Sequence, residues 1–291
     1  MSDASAAVPF ARIGIVGLGL IGGSIARGAR RAWPRVSIRG VDRQGVVDDA
    51  CRRGAIDGGG TAITDLLGVD LLVLATPVPD IVAGIHLAAR AGPWAAVTDV
   101  GSTKRQILAA AESAGLSTFV GGHPIAGAER GGADQARADL FEGRPWVLVP
   151  GSAVDASIIA RVDALVRGLG GFPRRLDAET HDRVMAYVSH VPQLLASALM
   201  LVAGDAVGDA GLAASGRGFA DMTRLASSSA DVWHGILTSN ADFIAEALAA
   251  VAAALPATAT DLADTARVDR LLAQAGRWRQ RCAEVLARPG R

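Results

Sequence analysis

Near the start of the chain, Gly17-Leu18-Gly19-Leu20-Ile21-Gly22 has the spacing of a phosphate-cradling turn. It follows a short β-branched run and opens a stretch of helical spacing, and Asp42 stands 20 residues beyond Gly22 at the end of the next apolar run. In such a turn Gly17 makes the tight bend, Gly19 lets a pyrophosphate approach the backbone, and Gly22 allows helix and strand to pack closely. The free N–H groups and the dipole at the helix start then hold the phosphates. Asp42 is placed to accept hydrogen bonds from ribose hydroxyls and to repel a 2′-phosphate, which favours NAD. Arg43 beside it leaves NADP open. Three further segments stand out: Asp99-Val100-Gly101-Ser102-Thr103-Lys104, Gly121-Gly122-His123-Pro124-Ile125-Ala126-Gly127-Ala128-Glu129, and Gly218-Phe219-Ala220-Asp221-Met222-Thr223-Arg224-Leu225-Ala226. His123 supplies an imidazole that titrates near neutrality and can take a proton. Lys104 is the only lysine in the chain.

These positions need a scaffold, and the apolar pattern supplies one. Strands are predicted at Arg12 to Val16, Val36 to Val41, Asp70 to Ala75, Ala95 to Val100, Thr118 to Gly121 and Trp146 to Val149, with helical stretches between most of them. Continuous apolar runs such as Asp70 to Ala75 suit parallel strands covered on both faces. Alternating strands and helices imply an α/β fold with a Rossmann-type, doubly wound, mainly parallel sheet, whose ligands collect at the carboxyl ends of the strands. The expected cofactor-contacting set is Gly17, Gly19, Leu20, Ile21, Gly22, Asp42, Arg43, Thr76 and Ser102. Strand signals vanish after Arg175. His181 to Ala203, Gly218 to Ala226, Ala241 to Leu255 and Asp261 to Ala287 read as helices, so the expected division is a dinucleotide-binding domain at 1–175 and an all-helical substrate and dimerisation domain at 176–291.

Composition narrows the classes. Half of the 291 residues are apolar, a fifth are charged, and 29 basic residues balance 29 acidic ones. A nucleic-acid partner calls for a basic excess or stripe, and none is seen. Cys51 and Cys282 have no metal-ligand spacing and suggest no disulfide framework, so no metal is expected. Residues 1–12 lack the basic-then-apolar order of a leader, and the most membrane-like stretch, Ile244 to Leu255, is too short to span a bilayer. The expected setting is cytoplasmic, without a membrane partner.

Taken together, the segments resemble the prephenate/arogenate dehydrogenases of tyrosine biosynthesis. The matches, in chain order, are GxGLIGGS at 17–24, DVGS-x-K at 99–104, HPxAGxE at 123–129, SHxP at 189–192, and D-x-TR-x-A at 221–226 followed by Trp233. The resemblance implies NAD(P)-dependent oxidative decarboxylation of a cyclohexadienyl substrate: prephenate to 4-hydroxyphenylpyruvate, arogenate to tyrosine, or both. Hydride leaves the ring carbon bearing the hydroxyl, the ring carboxylate departs as CO2, and aromatisation drives the step. His123 matches the catalytic histidine and would take the hydroxyl proton. Ser102 matches the active-site serine; capping the next helix is its other reading. Arg224 matches the substrate-binding arginine, whose fork suits carboxylates, with Asp221 three residues earlier placed to orient it. Glu129 matches an acidic residue that gates or polarises the site, or is an exposed carboxylate. Trp233 is open between pocket wall and core.

Pro192 must kink the helix that carries Ser189 and Gln193, and a kink there can aim both into the cleft. Many relatives carry histidine where this chain has Gln193. His190 reads as a packed helix histidine, and His86, His181 and His234 carry no distinguishing signal. Lys104 has either a local task or a solvated surface position. A rival dehydrogenase of the β-hydroxyacid type would need a catalytic lysine in the second half, where this chain has none. A non-catalytic NAD-sensing protein would be favoured by loss of His123 or Arg224, and both are present. The chain ends soon after its last helix, so no appended ACT regulatory domain is expected, and a homodimer through the helical half is.

Overall fold

The computed structural model describes residues 8–127, 131–260, 262 and 264–287. Eight strands form one sheet: β1 (Arg12–Val16), β2 (Ser37–Val41), β3 (Gly58–Gly60), β4 (Leu71–Leu74), β5 (Val97–Asp99), β6 (Phe119–Pro124), β7 (Pro145–Pro150) and β8 (Phe172–Arg175), in the spatial order β3-β2-β1-β4-β5-β6-β7-β8. All neighbours run parallel except β6 and β7. The order turns back between β1 and β4, and it is outside such a switch point that ligands settle in open α/β sheets. The turn after β1, Thr76 after β4, Ser102 after β5 and His123 at the end of β6 therefore share one edge.

Apolar layers cover both faces of the sheet. On one, α1 (Leu20–Ala32) and α5 (Ala156–Gly168) bring Ile25, Ala29, Val162 and Leu165 against Ile13, Ile15 and Leu148. On the other, α3 (Val78–Ala91) and α4 (Arg105–Ser113) bring Ile81, Ile85 and Ile107 against Leu72, Leu74 and Val97. Burial on both sides is why these strands read as unbroken apolar runs. Two strands escaped the sequence reading: β3 is three glycines, and β8 is Phe-Pro-Arg-Arg with its arginines exposed. The short helix α2 (Gln44–Arg52) completes the first half.

After β8 the chain is helical: α6 (Ala178–Met185), α7 (Val191–Leu212), α8 (Arg217–Thr223), α9 (Ala230–Ser239), α10 (Ala241–Thr260) and α11 (Thr265–Leu286). The α9 helix was not anticipated, and α11 starts four residues later than the expected Asp261, behind the cap Asp264. Between α6 and α7 the helix widens into a π-turn at Ala186–His190, immediately before Pro192. Proline has no N–H to continue the ladder, and the wide turn absorbs the defect that the sequence predicted as a kink. Ala186, Val191, Phe243, Ile244 and Ala247 form a small separate core. Among the described residues one helical run, Ala178–Leu212, is long and apolar enough by length and composition to cross a membrane. Its first two turns dock His181 and Asp182 against the sheet domain, and both are fully buried.

Candidate active site

The glycine turn has the geometry its sequence implies. Gly17 has φ +90°, and a Cβ there would lie 2.6 Å from the Ala75 carbonyl oxygen and also press on Thr76. A Cβ on Gly22 would collide with the Gly17 carbonyl, whereas one on Gly19 would meet no atom within 4 Å. Gly19 is the N-cap of α1 and has no side chain to occupy the first N–H groups, those of Leu20, Ile21 and Gly22. The open space at Gly19, bounded by a bare helix start, fits a pyrophosphate. Asp42 accepts the Leu18 N–H at 2.8 Å through one oxygen and the Arg43 N–H at 2.7 Å through the other. Its carboxylate is thereby fixed at the end of β2. The Arg43 side chain is 90% exposed, with its Nε 3.9 Å from Asp42.

His123 lies within β6 rather than on the loop beyond it, opposite Val147 of β7. Its Nδ1 is 2.9 Å from Nε2 of His181, and Nδ1 of His181 is 2.8 Å from Oδ1 of Asp182. Asp182 also accepts the backbone N–H groups of Lys104 at 2.7 Å and Arg105 at 2.9 Å. The DVGSTK segment of the sheet domain thus seats a carboxylate from the helical half. Sequence reasoning passed over His181 and Asp182. Their signal was a His-Asp pair in the first helix beyond the last strand, and nothing in its spacing told it from background.

Lys104 is fully buried, which rules out the solvated surface position. Its Nζ donates to Gly122 O at 2.8 Å and to the Asp99 carboxylate, which in turn accepts the Gly101 N–H at 2.7 Å and the Gly122 N–H at 3.0 Å. The pair ties the end of β5 to the residue before His123. Lys104, not Ser102, is the N-cap of α4, so Ser102 does not cap that helix. Ser102 is half-buried, and Thr103 anchors the segment through Ser239 Oγ at 2.8 Å.

Burial, then the neighbouring His181, Lys104 and His190, hold the His123 imidazole well below the ordinary histidine range, so it rests neutral. Burial lowers the Lys104 ammonium, and Asp99 opposes that shift. Burial works to raise the Asp182 carboxyl, but the His181 ring and the N–H groups of Arg105 and Lys104 prevail and keep it below the usual range. His190 is buried, with Nδ1 3.2 Å from the Asn240 amide and its ring 5.9 Å from that of Trp233, edge to face. Trp233 is half-buried beside it.

The remaining expected residues fall on the helical side. Arg224 is exposed where α8 passes into a 3-10 turn at Arg224–Ser227, and Asp221 is exposed one turn earlier. Gln193 is buried and donates to Leu225 O at 2.8 Å, while Ser228 donates to its Oε1 at 3.1 Å. Both ends of its amide hold the turn that bears Arg224. Ser189 is half-buried in the π-turn. Glu129 lies outside the described residues.

A glycine turn at the switch point of a mainly parallel sheet, with a neutral histidine further along the same edge and a helical half closing over it, defines a two-domain nucleotide-binding protein of the dehydrogenase class. Residues 25–172 match the profile of the prephenate dehydrogenase nucleotide-binding domain, and residues 177–274 match that of the prephenate dehydrogenase dimerization domain. The chain belongs to the prephenate dehydrogenase family. It is 35% identical over 246 residues to prephenate dehydrogenase of Lactococcus lactis, covering 81% of this chain and 66% of that relative, so it spans about two thirds of the relative's length. Among solved structures it is similar to Aquifex aeolicus prephenate dehydrogenase in complex with hydroxyphenyl propionate and NAD+, with TM-score 0.86, 28% identity and coverage of 94% and 98% of the two chains. It is also similar to Synechocystis arogenate dehydrogenase, with TM-score 0.81, 29% identity and coverage of 93% and 99%.

The buried histidines make stability depend on pH. Burial lowers His190 from 6.5 to about 4, with Asp182 partly offsetting and His181 adding to the shift. Between those values the unfolded chain binds the proton that the folded one refuses, so the stabilisation is complete above the ordinary value and is lost as pH falls toward the lower one. His123 acts in the same sense. Urea unfolding at pH about 7 and about 4.5 should show a loss on the order of 2–3 kcal/mol at the acid end. A flat profile would place His190 in solvent.

Proposed function

We propose that this chain is an NAD-dependent dehydrogenase that oxidatively decarboxylates prephenate, arogenate or both. The observation that carries the reading is the neutral His123, backed by His181 and Asp182, on the same sheet edge as the glycine turn. NAD, held by the glycine turn and Asp42, would supply the hydride acceptor for the ring carbon that bears the hydroxyl. His123 takes the hydroxyl proton as that carbon becomes a carbonyl. The ring carboxylate then leaves as CO2, its bonding electrons complete the aromatic ring and reach the carbonyl oxygen, and that oxygen recovers a proton to become the phenol. Arg224 recognises a substrate carboxylate through its planar fork, and Gln193 holds the turn that presents it. Ser102 hydrogen-bonds the substrate hydroxyl or the cofactor, and Trp233 walls the ring. Gly19, Leu20, Ile21 and Gly22 hold the pyrophosphate, and Asp42 takes the adenosine ribose.

The same reading divides the chain near residue 175, after the last strand, and pairs two copies through the helical half. Leu195, Leu199 and Val202 of α7 and Leu271, Leu272 and Trp278 of α11 are exposed apolar residues that support such pairing. Both cysteines are free thiols, in keeping with a cytoplasmic setting.

Absorbance at 340 nm with prephenate and with arogenate, each with NAD and NADP, tests the reading; turnover of neither substrate would refute it. His123→Asn should lower kcat about 100-fold or more with cofactor affinity nearly intact, and unchanged turnover would remove His123 as the base. Gly19→Ala should weaken NAD binding by about tenfold or more without lowering Tm, because the added Cβ meets no protein atom within 4 Å but enters the phosphate space. Asp42→Ala should shift the NAD to NADP preference toward NADP, and an unaltered ratio would clear Asp42 of that role.

A further inference from the structure

We propose that Asp182 and His181 are positioning residues that lock the His123 imidazole in its Nδ1–H tautomer, leaving the Nε2 lone pair as the proton acceptor. The catalytic consequence rests on the dehydrogenase reading; the tautomer itself does not. Hydrogen-bond direction is set from Asp182 outward. Two backbone N–H groups, of Lys104 and Arg105, donate to the Asp182 carboxylate, with the Arg105 Nε 3.3 Å away. A carboxylate surrounded by donors is ionised, and an ionised carboxylate can only accept. Nδ1 of His181, 2.8 Å from it, must therefore donate. In a neutral imidazole the other nitrogen is then a bare acceptor, so Nε2 of His181 accepts at 2.9 Å from His123 Nδ1, which must carry the proton. With His181 neutral, each link forces the next, and the last leaves Nε2 of His123 unprotonated.

The line also serves the product of proton transfer. When His123 gains a second proton, its Nδ1–H donates more strongly to His181, and the positive charge is stabilised by the Asp182 carboxylate beyond it. Lys104, which would oppose that charge, is neutralised by Asp99. The same carboxylate is held by backbone of the sheet domain, so His123 is in its accepting form only while the two halves are docked.

The test uses the full chain. With five histidines, ¹⁵N-histidine labelling and long-range ¹H–¹⁵N correlation resolve individual rings, assigned by single substitution. At neutral pH His123 and His181 should both show a protonated Nδ1 and a bare Nε2. A His123 ring protonated at Nε2, or a doubly protonated His181, overturns the proposal. This arm needs no turnover, so it stands apart from any failure of the dehydrogenase reading. In the kinetic arm, Asp182→Asn can donate to His181 Nδ1 and reverse the whole line. It should lower kcat about 10³–10⁴-fold with KM changed less than about threefold, the scale known where an orienting carboxylate is amidated. His181→Gln keeps an oxygen that accepts from His123 Nδ1 and should stay within about tenfold of the parent, whereas His181→Leu should lose about 10²-fold or more. Equal losses in the Gln and Leu variants, with equal Tm, would reduce His181 to a packing role and overturn the proposal.

Discussion

The fold turns on one buried carboxylate. Asp182 comes from the helical half, is fully buried, and is matched by two N–H groups and a guanidinium edge of the segment after β5. A carboxylate taken out of water without partners would cost several kcal/mol. Here the partners are main-chain donors at the start of α4, where the helix dipole also favours a negative charge. The interaction holds the two halves in register and orients the histidine pair at the same time. Asn240 adds to the joint, accepting from the Arg105 guanidinium at 3.0 Å while donating to the Asp182 carbonyl at 2.8 Å.

A second buried pair, Lys104 with Asp99, does for the sheet edge what Asp182 does for the domain junction. Gly122 approaches so closely that a Cβ would lie 2.5 Å from the Asp99 carbonyl. That approach lets the ammonium bridge the Asp99 carboxylate and the Gly122 carbonyl, one residue before His123. A compact ammonium on a flexible stem suits this narrow space; the planar guanidinium found at every other Lys or Arg position does not. Burial is the main cause of the neutral His123, and Lys104, though paired, adds to it.

On the helical side the governing device is a defect. Pro192 interrupts the ladder, the chain answers with the Ala186–His190 π-turn, and the extra residue rotates the helix between Asp182 and Gln193. His190 then faces Asn240 and Trp233, while Gln193 reaches the turn after α8. A neutral histidine in place of Gln193 could also donate once and accept once, but it would lose its acceptor on protonation, whereas the amide keeps both at every pH. In this chain the support of Arg224 is consequently insensitive to pH at that position.

What the amino-acid order determined by itself was local and periodic. The glycine spacing set the turn geometry at Gly17 and Gly22, apolar runs marked six of the eight strands, and Pro192 marked the broken helix. The residue types at His123, Arg224 and Asp42 stood out through motifs because each motif ties a side chain to a defined backbone position. Only the tertiary structure decided what lies behind them. His181 and Asp182 are 58 and 59 residues from His123 along the chain, and Lys104 is buried only because β5 and β6 close over it. Hydrogen-bond direction and burial are properties of the assembled neighbourhood, and no pattern along the polymer encodes them one residue at a time.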